Sequence, residues 1–185
     1  LKEKGSKRAL DVFIRACSAG GTRKKEDAVR RKDREITDFD EIVSIIKRCD
    51  VCRLALNDEE FPYIVPLNFG LEVRGDRAFL YFHAASEGKK LDLIARDNRA
   101  SFEMDCDHSL ILSDEKMSCT MSYASVIGRG TIELLPEEEK YEALKILMRQ
   151  YRAEDFPFST KPMKVTTVMR MTVLDMVGKR RSKVH

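Results

Sequence analysis

The sequence predicts a mainly β protein of the α+β class, a barrel with helices at its rim. From residue 51 onward, runs rich in β-branched and aromatic residues follow one another, separated by turn-forming residues. Helical spacing of apolar residues occurs in only a few segments, so strands and helices do not alternate as in a doubly wound sheet. Gly128 and Gly130 lie inside one long run and permit the bend or bulge with which a sheet closes into a barrel.

The chain of 185 residues suits one domain with an appended arm. Residues 1–34 carry 12 Lys and Arg against 5 Asp and Glu, so the remainder of the chain is acidic. We therefore predict a basic, flexible N-terminal extension over 1–29 and a folded domain over 30–185, and expect residues 1–28 to be sequence upstream of the natural start. An acidic body argues against a specific nucleic-acid partner, and the basic ends, including Lys179–Lys183, are interpreted as solvated tails.

No apolar run approaches the length of a membrane span, so the sequence predicts no membrane association. The five cysteines are an odd number, and no export signal precedes them, which indicates a reducing compartment and predicts a cytoplasmic protein. Cys49 and Cys52 fit the C-x-x-C spacing of a redox pair or half a zinc site. No second such pair follows, so we predict ordinary buried cysteines and no metal site.

The elements follow in order from residue 38. Thr37 or Asp38 can cap a short helix whose apolar residues recur at helical spacing: Ile42, Ile45, Ile46 and Cys49. Val51–Leu56 and Tyr63–Phe69 then predict a hairpin, and Ala78–His83 predicts a third strand.

The next segments are less uniform. Glu87–Arg96 predicts a helix with apolar contacts at Leu91 and Ile94, and Arg99–Met104 predicts a strand. Cys106–Met121 shows no clear period and is predicted to be a loop.

The C-terminal part resumes a clear pattern. Ala124–Leu135 predicts a long strand, and Pro136 with three glutamates opens a helix. The apolar stripe of this helix is Tyr141, Leu144, Leu147, Met148 and Tyr151. Val165–Val177 predicts the last strand.

One helix start carries the pattern of an anion site. Ser86, Gly88, Lys89 and Lys90 follow a strand and open a helix, where free backbone N–H groups and the helix dipole favour a phosphate. Spacing alone favours a solvated helix start with two ordinary lysines.

Pro66 is the second unusual residue, because proline inside a strand removes a ladder donor. It indicates either a simple edge strand or a place where a flat ligand approaches the backbone.

These motifs together resemble the flavin-binding split barrels of the pyridoxamine 5′-phosphate oxidase-like superfamily, and more closely its nitroimidazole-resistance branch. The resemblance covers roughly residues 30–182 and rests on three segments, 62–70, 81–91 and 119–130. It implies an FMN-binding split β-barrel with peripheral helices. The cofactor residues it implies are Arg53, Val65, Pro66, Leu67, Asn68, Phe82, Ser86, Gly88, Lys89, Lys90, Tyr123 and Ser125.

The resemblance gives each group a role. Lys89 and Lys90 would bind the flavin phosphate, helped by Arg53, whereas the segment around Pro66 and Asn68 would lie along the flavin ring. Tyr123 and Ser125 would complete the site from a second subunit, which implies a homodimer. Spacing alone favours an outward-facing strand serine for Ser125.

His83 is the predicted catalytic residue, because the matching histidine in the resembling proteins lies near the flavin. An imidazole exchanges protons near neutral pH, which suits proton donation to a nitro group. A lone histidine at a strand end is otherwise more often a hydrogen-bonded structural residue.

The resemblance implies a nitroreductase-like, FMN-dependent oxidoreductase that acts on a nitroimidazole or another small oxidant. A flavin- or haem-binding module without turnover, or a pyridoxamine 5′-phosphate oxidase-type oxidase, are the alternatives, because one fold hosts several activities. The sequence leaves open the electron donor, the native substrate, and whether FMN is preferred over a deazaflavin or haem.

Overall fold

Eight antiparallel strands form the body of the described protein. The computed structural model describes residues 30–115, 117–152 and 165–182, so the predicted N-terminal extension over 1–29 lies outside it. The strands are β1 (Glu35–Ile36), β2 (Cys52–Leu56), β3 (Tyr63–Leu67), β4 (Gly70–Arg74), β5 (Arg77–Ala85), β6 (Arg99–Ser113), β7 (Ser118–Leu134) and β8 (Thr166–Arg181). Their order in the sheet is β3-β2-β6-β7-β8-β5-β4, with β1 added to β8. Mostly antiparallel strands with peripheral helices confirm the predicted fold class.

Three α-helices lie around this sheet in the described part of the chain: α1 (Phe39–Ile46), α2 (Lys89–Arg96) and α3 (Glu137–Tyr151). Asp38 caps α1, its carboxylate accepting a 2.8 Å hydrogen bond from the backbone N–H of Glu41. The predicted apolar face of α1 is confirmed, because Ile42, Ile45, Ile46 and Cys49 are all buried in the core. Within the described residues, no helix combines the length and the apolarity that crossing a bilayer requires.

The predicted hairpin is present, with β2 paired antiparallel to β3 and Arg53 opposite Pro66. The strand predicted over Tyr63–Phe69 is shorter, however, because the chain leaves β3 after Leu67 and starts β4 at Gly70. β3 has one recorded neighbour in the described sheet, so Pro66 lies on an edge strand as its missing N–H requires.

The predicted loop over Cys106–Met121 is wrong, because these residues form a two-stranded arm. β6 continues to Ser113 and β7 begins at Ser118. The pairing shifts register between Cys106 and Ser109, around Asp107 with a φ of 59°. A bulge reverses the phase of alternation, so no single period-2 pattern runs through the segment.

The last strand is also longer than predicted, because β8 continues past Val177 to Arg181. The prediction that its basic end is a solvated tail is wrong for the residues up to Arg181. Lys179 pairs with Ser125 of β7, and Arg180 forms a 2.6 Å ion pair with Glu41. The register with β8 shifts between Arg129 and Gly130, next to the predicted bend or bulge, but the extra residue is Leu174 of β8 and not a residue of β7.

Helix α3 covers the outer face of β4 and β5. Ala143 and Leu147 are its buried residues, and Leu144 packs against the buried cluster that contains Ala143, so the predicted stripe is confirmed at Leu144 and Leu147, whereas Tyr151 is exposed. The backbones approach so closely that a Cβ on Gly70 would lie 2.5 Å from the Cα of Leu147. Glycine is therefore required where β4 starts.

Candidate cofactor-binding site

The start of α2 has the backbone geometry of an anion site. Gly88 occupies the N-cap position with φ 130° and ψ 161°, a conformation essentially reserved for glycine. Its carbonyl oxygen accepts hydrogen bonds from the N–H groups of Leu91 at 2.8 Å and Asp92 at 3.3 Å. The N–H groups of Lys89 and Lys90 precede these first helical bonds and have no intrahelical acceptor. Ser86 and Gly88 are exposed, so a ligand can approach these donors.

The two lysines of this start have different surroundings. The ammonium group of Lys89 lies 2.7 Å from the Asp58 carboxylate and 5.4 Å from the ring centroid of Tyr63. The hydrogen bond from Lys89, followed by one from the backbone of Glu59, lowers the pKa of Asp58. No acidic partner is recorded for Lys90 among the described residues. Lys90 is thus the cation more available to an incoming anion, whereas Lys89 is shared with Asp58.

A shallow cavity of about 400 Å³ opens beside Lys89. Its lining comes from the β2–β3 connection and the start of β3, with Asp58, Phe61 and Tyr63 among the lining residues. The helix start and the β2–β3 hairpin therefore meet at one place on the surface.

Arg53 lies on the outward face of β2 and is already paired with carboxylates. Its Nη1 donates to Glu103 at 3.0 Å and to Asp105 at 2.5 Å. Burial, and then repulsion by Asp105, raises the pKa of Glu103 despite the bond from Arg53. Arg53 faces Pro66, which lies three residues along β3 from Tyr63 and thus roughly 10 Å from it along the strand. The structure does not bring Arg53 to the start of α2.

The side chains of β3 alternate between two faces. Val65 and Leu67 pack against the core, whereas Pro66 is exposed on the same outward face as Arg53. Beyond the strand, the Asn68 amide donates to the Tyr151 hydroxyl at 3.2 Å and to the Asp50 carbonyl at 3.4 Å. Asn68 is exposed, and these bonds orient its amide at the end of α3.

Phe82 and His83 point to opposite faces of β5. Phe82 is fully buried in the main core, so only its backbone could meet a ligand. His83 is exposed and lies opposite Val168 on β8, on the face that α3 covers farther along β5. An exposed imidazole can exchange protons with solvent or with a bound molecule.

Tyr123 and Ser125 lie on the outward face of β7. Ser125 is opposite Asp105 on β6 and Lys179 on β8, so it shares a face with Arg53 and Pro66. The Lys179 ammonium group is 5.8 Å from the Tyr123 ring centroid. Burial raises the pKa of Tyr123, but hydrogen bonds from Lys179 and Arg34 outweigh it and lower that pKa overall.

The predicted residues thus form two groups within one chain. Ser86, Gly88, Lys89 and Lys90 lie together at the start of α2, and the outward sheet face carries Arg53, Pro66, Tyr123 and Ser125. The carboxylates that pair with two of these cations were not identified from the sequence. Asp58 pairs with Lys89, and the β6 pair, Glu103 and Asp105, binds Arg53. The β6 pair had a signal, because Glu103 and Asp105 alternate with buried Phe102 and Met104. Asp58 had none beyond being a turn residue.

The predicted cysteines are confirmed as buried side chains, Cys49 at 3% and Cys52 at 0% exposure. Burial raises the pKa of both thiols, which disfavours the thiolate that redox chemistry or metal binding needs. Among the residues that the structure describes, no cluster of three or more metal-ligating side chains occurs.

Comparisons with known proteins identify a matching family and similar structures. The family described as pyridoxamine 5′-phosphate oxidase matches residues 38–180. A candidate 5-nitroimidazole antibiotic resistance protein from Bacteroides thetaiotaomicron VPI-5482 is 34% identical, with a TM-score of 0.69 over 79% of this chain and 86% of that one. No match was found among curated proteins.

Two more distant structures share the fold. A flavocytochrome from Azotobacter vinelandii is 18% identical, with a TM-score of 0.69 over 83% of this chain and 72% of that one. An FAD and haem binding protein from Mycobacterium smegmatis is 17% identical, with a TM-score of 0.68 over 80% of this chain and 74% of that one. At these identities the likeness concerns the fold alone.

Proposed function

The chain belongs to the pyridoxamine 5′-phosphate oxidase family, and from that membership we propose that it is a flavin-dependent oxidoreductase that binds FMN. Its substrate in this proposal is a nitroimidazole or another small oxidant, because the similar Bacteroides protein is a candidate nitroimidazole-resistance protein. When bound, a flavin supplies the redox chemistry, taking up electrons from a donor and passing them to an oxidant.

The start of α2 is the observation that carries this proposal. Two backbone N–H groups without helical acceptors, the positive end of a helix and the Lys90 ammonium group make up the donor set that a phosphate monoester needs. The backbone at Gly88 is accessible to a ligand, since a Cβ added there would meet nothing within 4 Å. These residues fit the phosphate of FMN, with the Ser86 hydroxyl as a further donor.

The edge of β3 supports a place for the flat ring. Backbone polar groups on the free edge of a strand are open to a ligand, and Pro66 prevents another strand from pairing there. Val65, Leu67 and Asn68 would offer their backbone and amide groups to the polar edge of the ring.

His83 would donate the proton that a nitro group needs as it accepts electrons. Its side chain is exposed on β5 and is separated from Ser86 by two residues. The sequence Phe82–Lys90 therefore connects a proton donor directly to the phosphate-binding helix start.

We further propose that the site is completed by a second copy of the chain. Four residues, Met121, Tyr123, Ser125 and Ile127, follow one another on the outward face of β7. Met121 and Ile127 are exposed, and so are Leu110 and Leu112 on the paired part of β6. An apolar strip of this kind is typical of an interface between subunits, and it is continuous with the two residues predicted to reach the flavin from the partner.

The interface is tested by the mass of the protein in solution. Leu112→Asp would place a charge in the strip, and we expect it to convert a dimer to a monomer. Leu134→Asp is the matched control, because Leu134 is equally an exposed leucine but lies at the other end of β7. A dimer that persists in Leu112→Asp would contradict this interface.

Steady-state assays separate the proposed activity from the alternatives. NADH- or NADPH-dependent loss of a nitro chromophore by the FMN-loaded protein supports the proposal. Retained flavin without any turnover, or a haem-induced change in the absorption spectrum, would instead favour a binding module. Formation of pyridoxal phosphate would favour an oxidase.

A further inference from the structure

A second cationic cavity lies away from the start of α2, at the end of β8. Its volume is about 520 Å³, and it lies between the turn at Lys32–Arg34, the first turn of α1 and the last residues of β8. The lining residues are Arg31, Asp33, Arg34, Glu35, Ile36, Glu41, Arg180, Arg181 and Ser182. Ile36 is the one apolar side chain among them, and it is buried. The cavity is therefore polar throughout.

The carboxylates of this cavity are each matched to a cation. Asp33 accepts hydrogen bonds from Nε and Nη2 of Arg31, both at 2.7 Å. Glu41 forms an ion pair with Arg180 at 2.6 Å, and Glu35 forms one with Lys32 at 3.1 Å. These pairs neutralise one another, and Arg34 and Arg181 are the lining cations outside them.

Two arginines of the lining remain. The Nε of Arg34 reaches Asp33 only at 3.9 Å, and the same carboxylate oxygen already accepts the shorter bond from Arg31. No acidic partner is recorded for Arg181 in the described ranges of the chain. Both side chains are partly buried, so their charges are less well screened than those of fully exposed groups.

Lys179 lies near them but is not part of the cavity lining, and it stands opposite Glu35 of β1. It pairs with Ser125 across the strands, and its ammonium group lies over the Tyr123 ring, while Arg181 stands opposite Tyr123. Burial raises the pKa of Tyr123, but the nearby Lys179 and Arg34 lower it overall, so both cations lie close to the phenol.

We propose that this cavity binds an oligophosphate group, of the kind that a nucleotide carries. Arg34 has only a long ion pair and Arg181 has none recorded among the described residues, so two guanidinium groups can bind phosphate oxygens in a planar, bidentate way and suit an anion with more than one negative charge. The lack of apolar lining disfavours an aromatic or aliphatic acid.

Tyr123 near the cavity also belongs to the proposed flavin site, but the cavity lies away from the start of α2 and would hold a diphosphate, which FMN lacks, so the proposal goes beyond FMN binding. Two sources could present this chemistry: a dinucleotide, such as NADPH or FAD, and free oligophosphate. The shared group is the diphosphate, and inorganic pyrophosphate is therefore the first probe.

Titration calorimetry with pyrophosphate tests the site in the full chain. We expect Arg34→Gln and Arg181→Gln each to weaken binding by about tenfold or more, as is usual when a charge-assisted pair is lost. Arg77→Gln is the matched control, because Arg77 is an exposed arginine on β5 outside this cavity, and it should bind like the unaltered protein. Absence of binding, or equal weakening in all three variants, would overturn the proposal.

Competition against pyrophosphate then identifies the source. Binding of NADPH and NADH, or tighter binding of FAD than of FMN, with the loss of affinity confined to Arg34→Gln and Arg181→Gln, assigns the site to a dinucleotide. Binding of pyrophosphate alone assigns it to free oligophosphate. A single-stranded oligonucleotide that binds more tightly, and that Arg77→Gln weakens equally, would overturn the proposal in favour of diffuse charge.

The flavin content of each variant separates this inference from the proposed function. Retained FMN without pyrophosphate binding would remove the second site only. Pyrophosphate binding by a protein that retains no flavin would remove the proposed function and leave this site.

Discussion

Replacement of Gly88 by alanine tests the phosphate site at α2 with a single methyl group. The φ of 130° places residue 88 in a region that side chains with a Cβ rarely enter, at a cost of about 1–3 kcal/mol. A Cβ built there meets nothing within 4 Å, so the cost comes from the backbone and not from a clash. The chain can relieve this strain only by rotating the residue that precedes the free N–H groups of Lys89 and Lys90.

Gly75→Ala is the matched control for this substitution. Gly75 also has a positive φ, 61°, and its added Cβ would likewise meet nothing within 4 Å, but it lies in the β4–β5 turn. A left-handed alanine costs roughly 1–2 kcal/mol, so the two variants should lose comparable free energies of unfolding.

Urea unfolding and FMN titration by fluorescence quenching, on both variants, complete the test. We expect similar losses of stability and a loss of FMN affinity in Gly88→Ala only. The reasoning would be refuted if Gly88→Ala lost stability as expected but bound FMN as tightly as Gly75→Ala does.

Three further predictions follow from the structure. His83→Ala should retain FMN and lower the rate of nitro reduction, whereas His108→Ala should leave it unchanged; equal rates in both variants would remove His83 from the mechanism. Gly70→Ala should lower the free energy of unfolding by about 1–3 kcal/mol or more, because the Cβ would meet the backbone of Leu147; an unchanged urea midpoint would contradict this close approach. Because its pKa is lowered, Tyr123 should ionise at a lower pH than an ordinary phenol, and its ionised form should stabilise the fold only at high pH. Tyr123→Phe should therefore remove the earliest phase of an ultraviolet pH titration. An unaltered titration would contradict the proximity of Lys179 and Arg34 to the phenol.

The sequence predicted those elements in which local pattern and tertiary burial agree. Helix α1 is an example, because its isoleucines recur at helical spacing and Asp38 supplies the cap. The β6–β7 arm is the counterexample, since the extra residues around Asp107 reverse the side-chain phase halfway along. No local signal marks such a shift, because the bulge exists only in the pairing of two strands.

The candidate site shows the same limit. The helix start at Gly88 could be predicted, because its donors are adjacent in the sequence. Which cations remain available could not, since that depends on partners brought by pairing across strands and turns. Arg53 and Lys89 are both paired with carboxylates from other segments, whereas no carboxylate partner is recorded for Lys90 and Arg181 in the described ranges, and spacing alone does not distinguish these cases.

The most direct test of the central claim is an absorption spectrum of the protein after addition of FMN and desalting, taken together with its mass in solution. We predict that the flavin band is retained at one flavin per chain, on a particle of two chains. A colourless protein would contradict the claim that the start of α2 binds a flavin phosphate, and the proposed activity would be withdrawn with it.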